Sequence, residues 1–559
     1  MFFLRHGLSY ILQVTFLLVA IVLNANVSAQ IPSIVSSSPT LNALNVPTNS
    51  NISVLFDVDM DPSTINDTTF VVTSKTFGLL SGTISYDGPT KTTIFDPVVD
   101  FGVGEIVTVV LTKNVNSLVG NPIDYGKVWT FTVEVQGGTG HLTLVETDDI
   151  EAIVNSVFSS DLNIDGNPDL VFSEDLPYNS SINVRLNNGD GTFSTDYSYS
   201  TIYSPYVVLS ADLDKNNGPD IVAASSAIWG LSIFFNNDNG TFADRVEYPM
   251  TNCEGAYIAD LNGDSYFDLI LANVNLFTVL INNGSGIFTT RYEYATNSYA
   301  RSVCAVDVDN DRDMDIVVAC YIADSFQVFI NDGEGHLNLQ TSYSTSNGPS
   351  YITAVDVDND NDMDILTAQS AEGDFSIFYN DGNGNYSNPT NISYGESYGS
   401  IAIQAADMDA DGDQDLIVAN MSSRKIYTFF NNGSGSFLYD TFYSAEPMPF
   451  TISTSDHDGD GDLDLAVAST NFSSLSSTIS IFRNDFLYIC GDVNESGKFD
   501  IADIVFCVDF LFRGVDDPFD FTKMDVDVSG TINVADIVCL VSYLFRGGPE
   551  PICNIPINN

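Results

Sequence analysis

Asp307-Val308-Asp309-Asn310-Asp311-Arg312-Asp313-Met314-Asp315 places a carboxylate at its first, third, fifth and ninth positions and runs straight into the apolar Ile316-Val317-Val318-Ala319. The same nine-residue phrase begins at Asp161, Asp212, Asp260, Asp307, Asp356, Asp407 and Asp456, in steps of 51, 48, 47, 49, 51 and 49 residues. Recurrence at such a period marks one supersecondary unit repeated in an array. Each of the first six units reads as an apolar strand, the acidic loop, a second apolar strand, a variable turn, a third strand ending in Phe or Leu, and a second turn. That turn appears as Asn187-Asn188-Gly189-Asp190-Gly191-Thr192-Phe193 and as Asn431-Asn432-Gly433-Ser434-Gly435-Ser436-Phe437, its Asn and Gly supplying the positive φ of a tight hairpin. Four strands per unit and seven units predict a seven-bladed β-propeller over residues 138–486.

The seventh unit stops at Phe482-Arg483-Asn484-Asp485, short of a glycine turn and a fourth strand. Gly138-Thr139-Gly140-His141-Leu142, at the start of the array, matches Gly333-Glu334-Gly335-His336-Leu337. The N-terminal segment is therefore expected to supply the missing outer strand, which removes two open sheet edges.

Alternating oxygens on a short loop suit a hard cation, because Ca²⁺ takes 6 to 8 oxygen ligands. The candidate ligands are Asp161, Asn163, Asp165 and Asp169 in the first loop; Asp212, Asp214, Asn216 and Asp220 in the second; Asp260, Asn262, Asp264 and Asp268 in the third. Asp307, Asp309, Asp311 and Asp315 follow, then Asp356, Asp358, Asp360 and Asp364, then Asp407, Asp409, Asp411 and Asp415, and last Asp456, Asp458, Asp460 and Asp464. Asn163, Asn216 and Asn262 replace a charge by a neutral amide, so those three loops should bind less tightly. Asp, Asn and Gly are also ordinary turn formers, but seven copies in register favour about seven bound Ca²⁺. The units resemble FG-GAP or VCBS-type repeats, the propeller family that includes the integrin α head and several lectins.

Residues 31–136 alternate apolar and polar in short runs such as Ile52-Ser53-Val54-Leu55-Phe56 and Val128-Trp129-Thr130-Phe131-Thr132-Val133, the pattern of a β-sandwich. Asn45-Val46-Pro47, Phe56-Asp57-Val58-Asp59-Met60-Asp61-Pro62 and the closing Trp129-Thr130-Phe131 make it similar to a bacterial Ig-like domain of surface-layer type, and the resemblance implies a spacer. Asp57, Asp59 and Asp61 read as a strand passing into a turn. Residues 1–29 carry Arg5, an apolar run and Val27-Ser28-Ala29, the form of a secretory signal. No later stretch is apolar enough to span a bilayer, so export to a calcium-rich exterior is expected, with retention at the cell surface left open.

Near the C-terminus, Asp492, Asn494, Ser496, Asp500 and Asp503, and 33 residues on Asp525, Asp527, Ser529, Asn533 and Asp536, stand at positions 1, 3, 5, 9 and 12 of two loops with Gly497 and Gly530 at position 6. This is the EF-hand spacing with Asp in place of the terminal Glu. Each loop leads into an apolar helix that a glycine stops, at Gly514 and Gly547. Residues 490–553 resemble a type I dockerin, a small all-α module; the resemblance implies two further Ca²⁺ and a cohesin-type partner, with Ile501-Ala502 and Val534-Ala535 at the partner-selecting positions. The expected fold class is thus mainly β: sandwich, propeller, then a helical module.

Acidic residues outnumber Lys and Arg by 74 to 18, a formal charge of −56, which argues against nucleic acid or an anionic membrane as partner. Seven cysteines are too few for a disulfide scaffold. Cys490 and Cys553 could clasp the ends of the last module, while Cys304 and Cys320 read either as a facing pair or as buried thiols. The connections on the face opposite the acidic loops repeatedly carry two aromatics: Tyr203 and Tyr206, Tyr294 and Tyr299, Tyr343 and Tyr351, Tyr394 and Tyr398, Tyr443 and Phe450. They suit a sugar or protein ligand, or packing between blades. No nucleophile and base pair suggests itself around His141, His336 and His457. The functional expectation is a secreted calcium-binding adhesion or scaffold protein, the alternative being a lectin-like or polysaccharide-degrading component of an extracellular complex.

Overall fold

In the computed structural model the described residues are 30–484 apart from 177–179, 195–196, 227–229, 251 and 397, followed by 499, 501–513, 524, 526, 529 and 531–546. The signal-like segment, Cys490, Cys553 and the loop residues Asp492, Asn494, Ser496, Asp500, Asp525 and Asp527 lie outside them.

Alternation in Ile52–Phe56 turns Ile52, Val54 and Phe56 inward, where they meet Phe70, Trp129 and Phe131 between two sheets. One sheet runs Ile34–Ser38, Ile52–Phe56, Thr92–Pro97, Gly82–Asp87; the other runs Ala43–Val46, Lys127–Val133, Ile106–Leu111, Phe70–Ser74, Gly78–Leu79. Asp57 accepts from the Ser33 N–H, and Asp61 caps the short 3-10 turn Pro62–Thr64, so these acids serve the turn as the sequence indicates.

Seven four-stranded antiparallel sheets follow, none closed on itself. The fourth runs Ala300–Val306, Asp315–Cys320, Ser325–Asn331, Leu337–Ser344. Its second strand is buried throughout, as a strand covered on both faces must be. Each sheet shares an apolar cluster with the next. The seventh and first share one as well, Ala466 and Ile479 meeting Val157 and Phe172, so the sheets pack in a ring.

The seventh sheet takes its outer strand from Leu142–Ile150, antiparallel to Ser476–Asn484, with Leu142 opposite Asn484. The Leu142 N–H donates to Tyr443 Oη at 2.9 Å, and the Leu337 N–H to Tyr294 Oη at 3.2 Å. The two similar Gly-x-Gly-His-Leu segments therefore occupy equivalent places.

The Ig-like sandwich is not a detached spacer. Strand Phe70–Ser74 is buried on both faces: Phe70 and Val72 fill the sandwich, while Val71, with Val110 and Val128, joins the core of the third and fourth sheets. The Val128 N–H donates to the Arg312 carbonyl and the Asp161 N–H to the Thr76 carbonyl. Lys127 Nζ reaches the Asp311 carbonyl at 3.0 Å. The sandwich thus covers the acidic-loop end of the ring.

Cys304 lies opposite Val317 and Cys320 opposite Ala300. Both are buried free thiols, and burial pushes the Cys304 thiol up to about 12. Helices α1 (Ile501–Arg513) and α2 (Val534–Arg546) pack through Ile504, Cys507 and Leu540. Asn533 accepts from the Ala535 N–H, and Asp536 accepts from the Asn533 N–H, a reciprocal cap of the α2 N-terminus. Among the described residues no helix is long and apolar enough to cross a membrane.

Candidate metal centres

Each acidic loop begins where an inner strand ends, and its shape repeats seven times. Positions 4 and 6 take left-handed backbone in every copy, at Ile164 and Gly166, Lys215 and Asn217, Gly263 and Ser265, Asn310 and Arg312, Asn359 and Asn361, Ala410 and Gly412, Gly459 and Gly461. This winding turns N–H groups inward toward carboxylates. The first-position Asp accepts the N–H of position 6 at 2.7–3.2 Å in all seven loops. The fifth-position oxygen accepts the N–H of position 7 at 2.9–3.3 Å.

The ninth-position Asp is a bracket between chain segments. One of its oxygens accepts the N–H of position 2 at 2.9–3.2 Å. The other accepts the N–H of an Asn that closes the third strand, at 2.8–3.0 Å. Those asparagines, Asn187, Asn236, Asn282, Asn331, Asn380, Asn431 and Asn484, each donate Nδ2 to a loop carbonyl of the preceding sheet at 2.7–2.9 Å. Asn187 completes the circle by bonding the seventh loop at His457. In the sequence six of these asparagines read as turn formers; the signal for the second role is Asn in first place in all six glycine turns and, as Asn484, at the corresponding place of the seventh unit, which has no such turn.

The third position behaves differently. Oδ1 of Asp309, Asp358, Asp409 and Asp458 is buried and has no hydrogen-bond partner, as has Oδ1 of Asp407. An acceptor left bare in this way is costly, and several carboxylates beside it make the cost larger. Ligand oxygens of Asp212, Asp214 and Asp220 lie within 4.8 Å of one another, as do those of Asp307, Asp309 and Asp311, of Asp356, Asp358 and Asp360, of Asp407, Asp409 and Asp415, and of Asp456, Asp458 and Asp460. A hard divalent cation fits this donor set. Burial lifts the ninth-position carboxyls out of the usual range: Asp169 to about 7, Asp220, Asp364, Asp415 and Asp464 to about 8, Asp315 to about 9.

The first and third loops show no such cluster among the described residues. In the first, Asn163 Nδ2 donates to Asp165 at 2.9 Å. In the third, Lys215 reaches across from the second loop to Ser265 Oγ at 2.5 Å; burial lowers its ammonium below the usual range, and Asp260 and Asp264 only partly oppose this. Both loops carry Asn at position 3. Neighbouring loops are also linked, Asn310 Nδ2 to Asp362 at 2.7 Å and Asn359 Nδ2 to Asp413 at 2.6 Å. Ala410 stands where the next donor would be, and both oxygens of buried Asp462 are left without partners. Of the C-terminal candidates, Asp503, Ser529, Asn533 and Asp536 are described, Asp503 and Asp536 being buried.

The aromatic pairs of the opposite face divide. Tyr294, Tyr343 and Tyr443 pack between sheets and accept an N–H of the following outer strand or turn, from Leu337, Tyr386 and Leu142. Tyr394 bonds Ser400 and Asn420. Tyr203 and Tyr398 stay exposed, while Tyr206 stands edge-on to Phe450. His457 Nε2 lies 3.1 Å from Ser159 Oγ, yet both residues are buried and desolvation drops the imidazole to about 4. The pair offers no approach to a substrate.

Residues 28–133 match the model of the bacterial Ig-like domain. Overlapping matches to the FG-GAP-like repeat cover residues 161–223, 212–271, 260–318, 307–367, 356–418 and 407–467. Mouse (Mus musculus) cartilage acidic protein 1 is 29% identical over 114 residues, 18% of this chain and 16% of that protein; the chain thus spans about a sixth of the length of this curated relative. Among solved structures, BBS1N in complex with ARL6DN has a TM-score of 0.44 at 13% identity, over 62% of this chain and 97% of that one. A lectin of Agrocybe aegerita that recognises non-reducing terminal N-acetylglucosamine has a TM-score of 0.40 at 16% identity, over 70% and 97%. The repeat matches run without a break from residue 161 to residue 467, more than half of the 559 residues, and the chain belongs to the FG-GAP-like repeat family.

Proposed function

We propose that the chain is an exported, calcium-binding adhesion or scaffold protein. In this reading the ring of sheets is a seven-bladed β-propeller holding about seven Ca²⁺, its face opposite the acidic loops takes a protein or glycan ligand, and residues 490–553 form a dockerin that carries two more Ca²⁺ and docks on a cohesin-type partner. One observation carries the choice of face. The Ig-like sandwich covers the acidic-loop end, whereas the other end exposes Ile202, Tyr203, Ile322, Tyr398, Phe472 and Leu475. Exposed apolar residues at an end that the sandwich leaves uncovered suit a contact surface. The reading is non-catalytic, in keeping with the binding and structural character of both matched families.

The test is a screen of the full chain, in calcium, against immobilised glycans and extracellular proteins, repeated with Tyr398→Ala/Phe472→Ala. The expected result is a ligand whose retention falls at least tenfold in the double variant at unchanged melting temperature. Retention that ignores this pair and responds instead to substitutions on the Ig-like sandwich would overturn the assignment of the face. Pull-down of a cohesin by the full chain, lost on truncation at residue 486, checks the docking role separately.

A further inference from the structure

The inner strands of all seven sheets line a cavity of about 210 Å³ along the axis of the ring. Its walls are Phe158, Tyr206, Tyr257, Tyr351 and Phe450, with Arg301 and Glu254 at the end remote from the acidic loops. A second cavity of about 190 Å³ lies at the loop end, against the sandwich. Four side chains line both, Phe158, Leu209 and Tyr257 from inner strands and Lys75 from the turn after strand Phe70–Ser74; of these Lys75 alone comes from the Ig-like domain.

Lys75 is an unusual floor for such a cavity. Its ammonium stands over the Phe158 ring, 5.5 Å from the centroid, and it forms no ion pair among the described residues. The nearest carboxylate, Glu105, is occupied by the Ser74 hydroxyl and the Thr76 N–H. Burial drives the Lys75 ammonium below its usual range, with Glu105 only partly opposing. The side chain is exposed to the cavity space, and its ammonium has no counter-charge there among the described residues. At the other end Arg301 stacks on Tyr321, 4.9 Å from its centroid, beside Tyr206 and Glu254.

The walls discriminate between kinds of ligand. Inner-strand N–H groups that would otherwise face the axis are bonded to hydroxyls of the neighbouring strand: Val157 to Thr451, Ser159 to Ser453, Val208 to Ser156, Ile352 to Ser302. These positions offer a peptide main chain no donor to pair with. What remains is ring faces, the hydroxyl and amide side chains of residues such as Thr353, Gln404 and Thr454, and one cation at depth. From the level of Phe450 to that of Thr454 the cavity descends about 13 Å at 3.3 Å per residue, too far for an Asp or Glu side chain reaching in from the rim.

Resting on the reading of the open face as the ligand face, we propose that the axial cavity receives the acidic end of a glycan chain. The sugar rings lie against Tyr206, Tyr351 and Phe450, and a uronate carboxylate meets Lys75. The Ig-like domain then contributes directly to recognition by placing its cation inside the ring.

The experiment is calorimetric titration of the calcium-loaded full chain with glucuronate and galacturonate oligosaccharides of two to four residues, their neutral glucose and galactose counterparts, and short peptides with free C-termini. Acidic oligosaccharides are expected to bind at least tenfold more tightly than neutral ones. Lys75→Met should remove that preference without lowering the melting temperature, Lys75→Arg should keep part of it, and Arg301→Gln should weaken binding less than Lys75→Met. Equal binding of acidic and neutral chains, no binding of either, a preference that survives Lys75→Met, or tighter binding of the peptides each overturns the proposal. A ligand sensitive to Tyr398→Ala/Phe472→Ala but indifferent to Lys75 refutes the axial site and leaves the open face standing; indifference to all of these refutes both.

Discussion

Asp364 accepts the Val357 N–H through one oxygen and the Asn380 N–H through the other, whereas Asp358, six residues earlier, keeps one buried oxygen bare. Two aspartates of one loop therefore do different work. Removing Asp364 strands two buried donors, and at about 1–3 kcal/mol for each buried donor left unsatisfied, Asp364→Ala should cost about 2 kcal/mol or more with or without calcium. Asp358→Asn relieves a carboxylate cluster, so in chelator it should cost less than about 1 kcal/mol while reducing the stabilisation that calcium confers. Urea unfolding of both variants in EGTA and in calcium decides: equal losses in EGTA would refute the division of labour. The candidate oxygens were legible in the spacing alone, because alternation along a short loop is a local property. The left-handed residues were not, since Ile164, Lys215 and Arg312 have no intrinsic preference for that backbone; inward-facing carboxylates override propensity there. The asparagine wheel was hidden for another reason: its bonds join residues 69 to 76 positions apart, or 270 where the circle closes, and nothing local announces them.

At the scale of elements, strand Leu142–Ile150 closes the seventh sheet from the far end of the array. Its role could be read beforehand because the Gly-x-Gly-His-Leu turn was copied and the last unit was one strand short. Pairing across the array is also testable by chemistry. Thr147 and Ser480 are opposite one another, their hydroxyls 3.2 Å apart and 333 residues apart in sequence. Directly opposed Cβ atoms about 4.5–5.5 Å apart need to close by about 1 Å to reach the roughly 3.5–4.5 Å of a disulfide, a shift within reach of a strand pair at the edge of a sheet. Thr147→Cys/Ser480→Cys should therefore form one intramolecular bond under mild oxidation, seen by mass spectrometry, and the melting temperature should rise by several degrees. Burial makes the native Cys253, Cys304 and Cys320 poor competitors. Absence of the bond, or intermolecular linkage in its place, would refute the closure.

Taken whole, the molecule carries a formal charge of −56 and concentrates much of it in a ring of loops that its own N-terminal domain then covers. The order of modules was legible because each has a local pattern; their packing was not, since an apolar outward residue such as Val71 is recognisable as a contact only once its strand's inner face is known. The covered loops make stability depend on pH in opposite ways with and without metal. Without metal, buried carboxyls such as Asp220 and Asp364 stand at about 8, far above the roughly 3.9 of an unfolded Asp. A group raised on folding stabilises most below its unfolded pKa, and that contribution is lost as pH rises through the folded value. The chelated protein should thus melt lower at about pH 8 than at about pH 5. Calcium needs the same carboxylates ionised and displaces their protons on binding, so the increment it adds to the melting temperature should grow over the same range. Scanning calorimetry in EGTA and in calcium at both pH values checks the pair of trends; an increment that is the same at both would mean that the loops, though built from ligand oxygens, do not hold the metal that stabilises the ring.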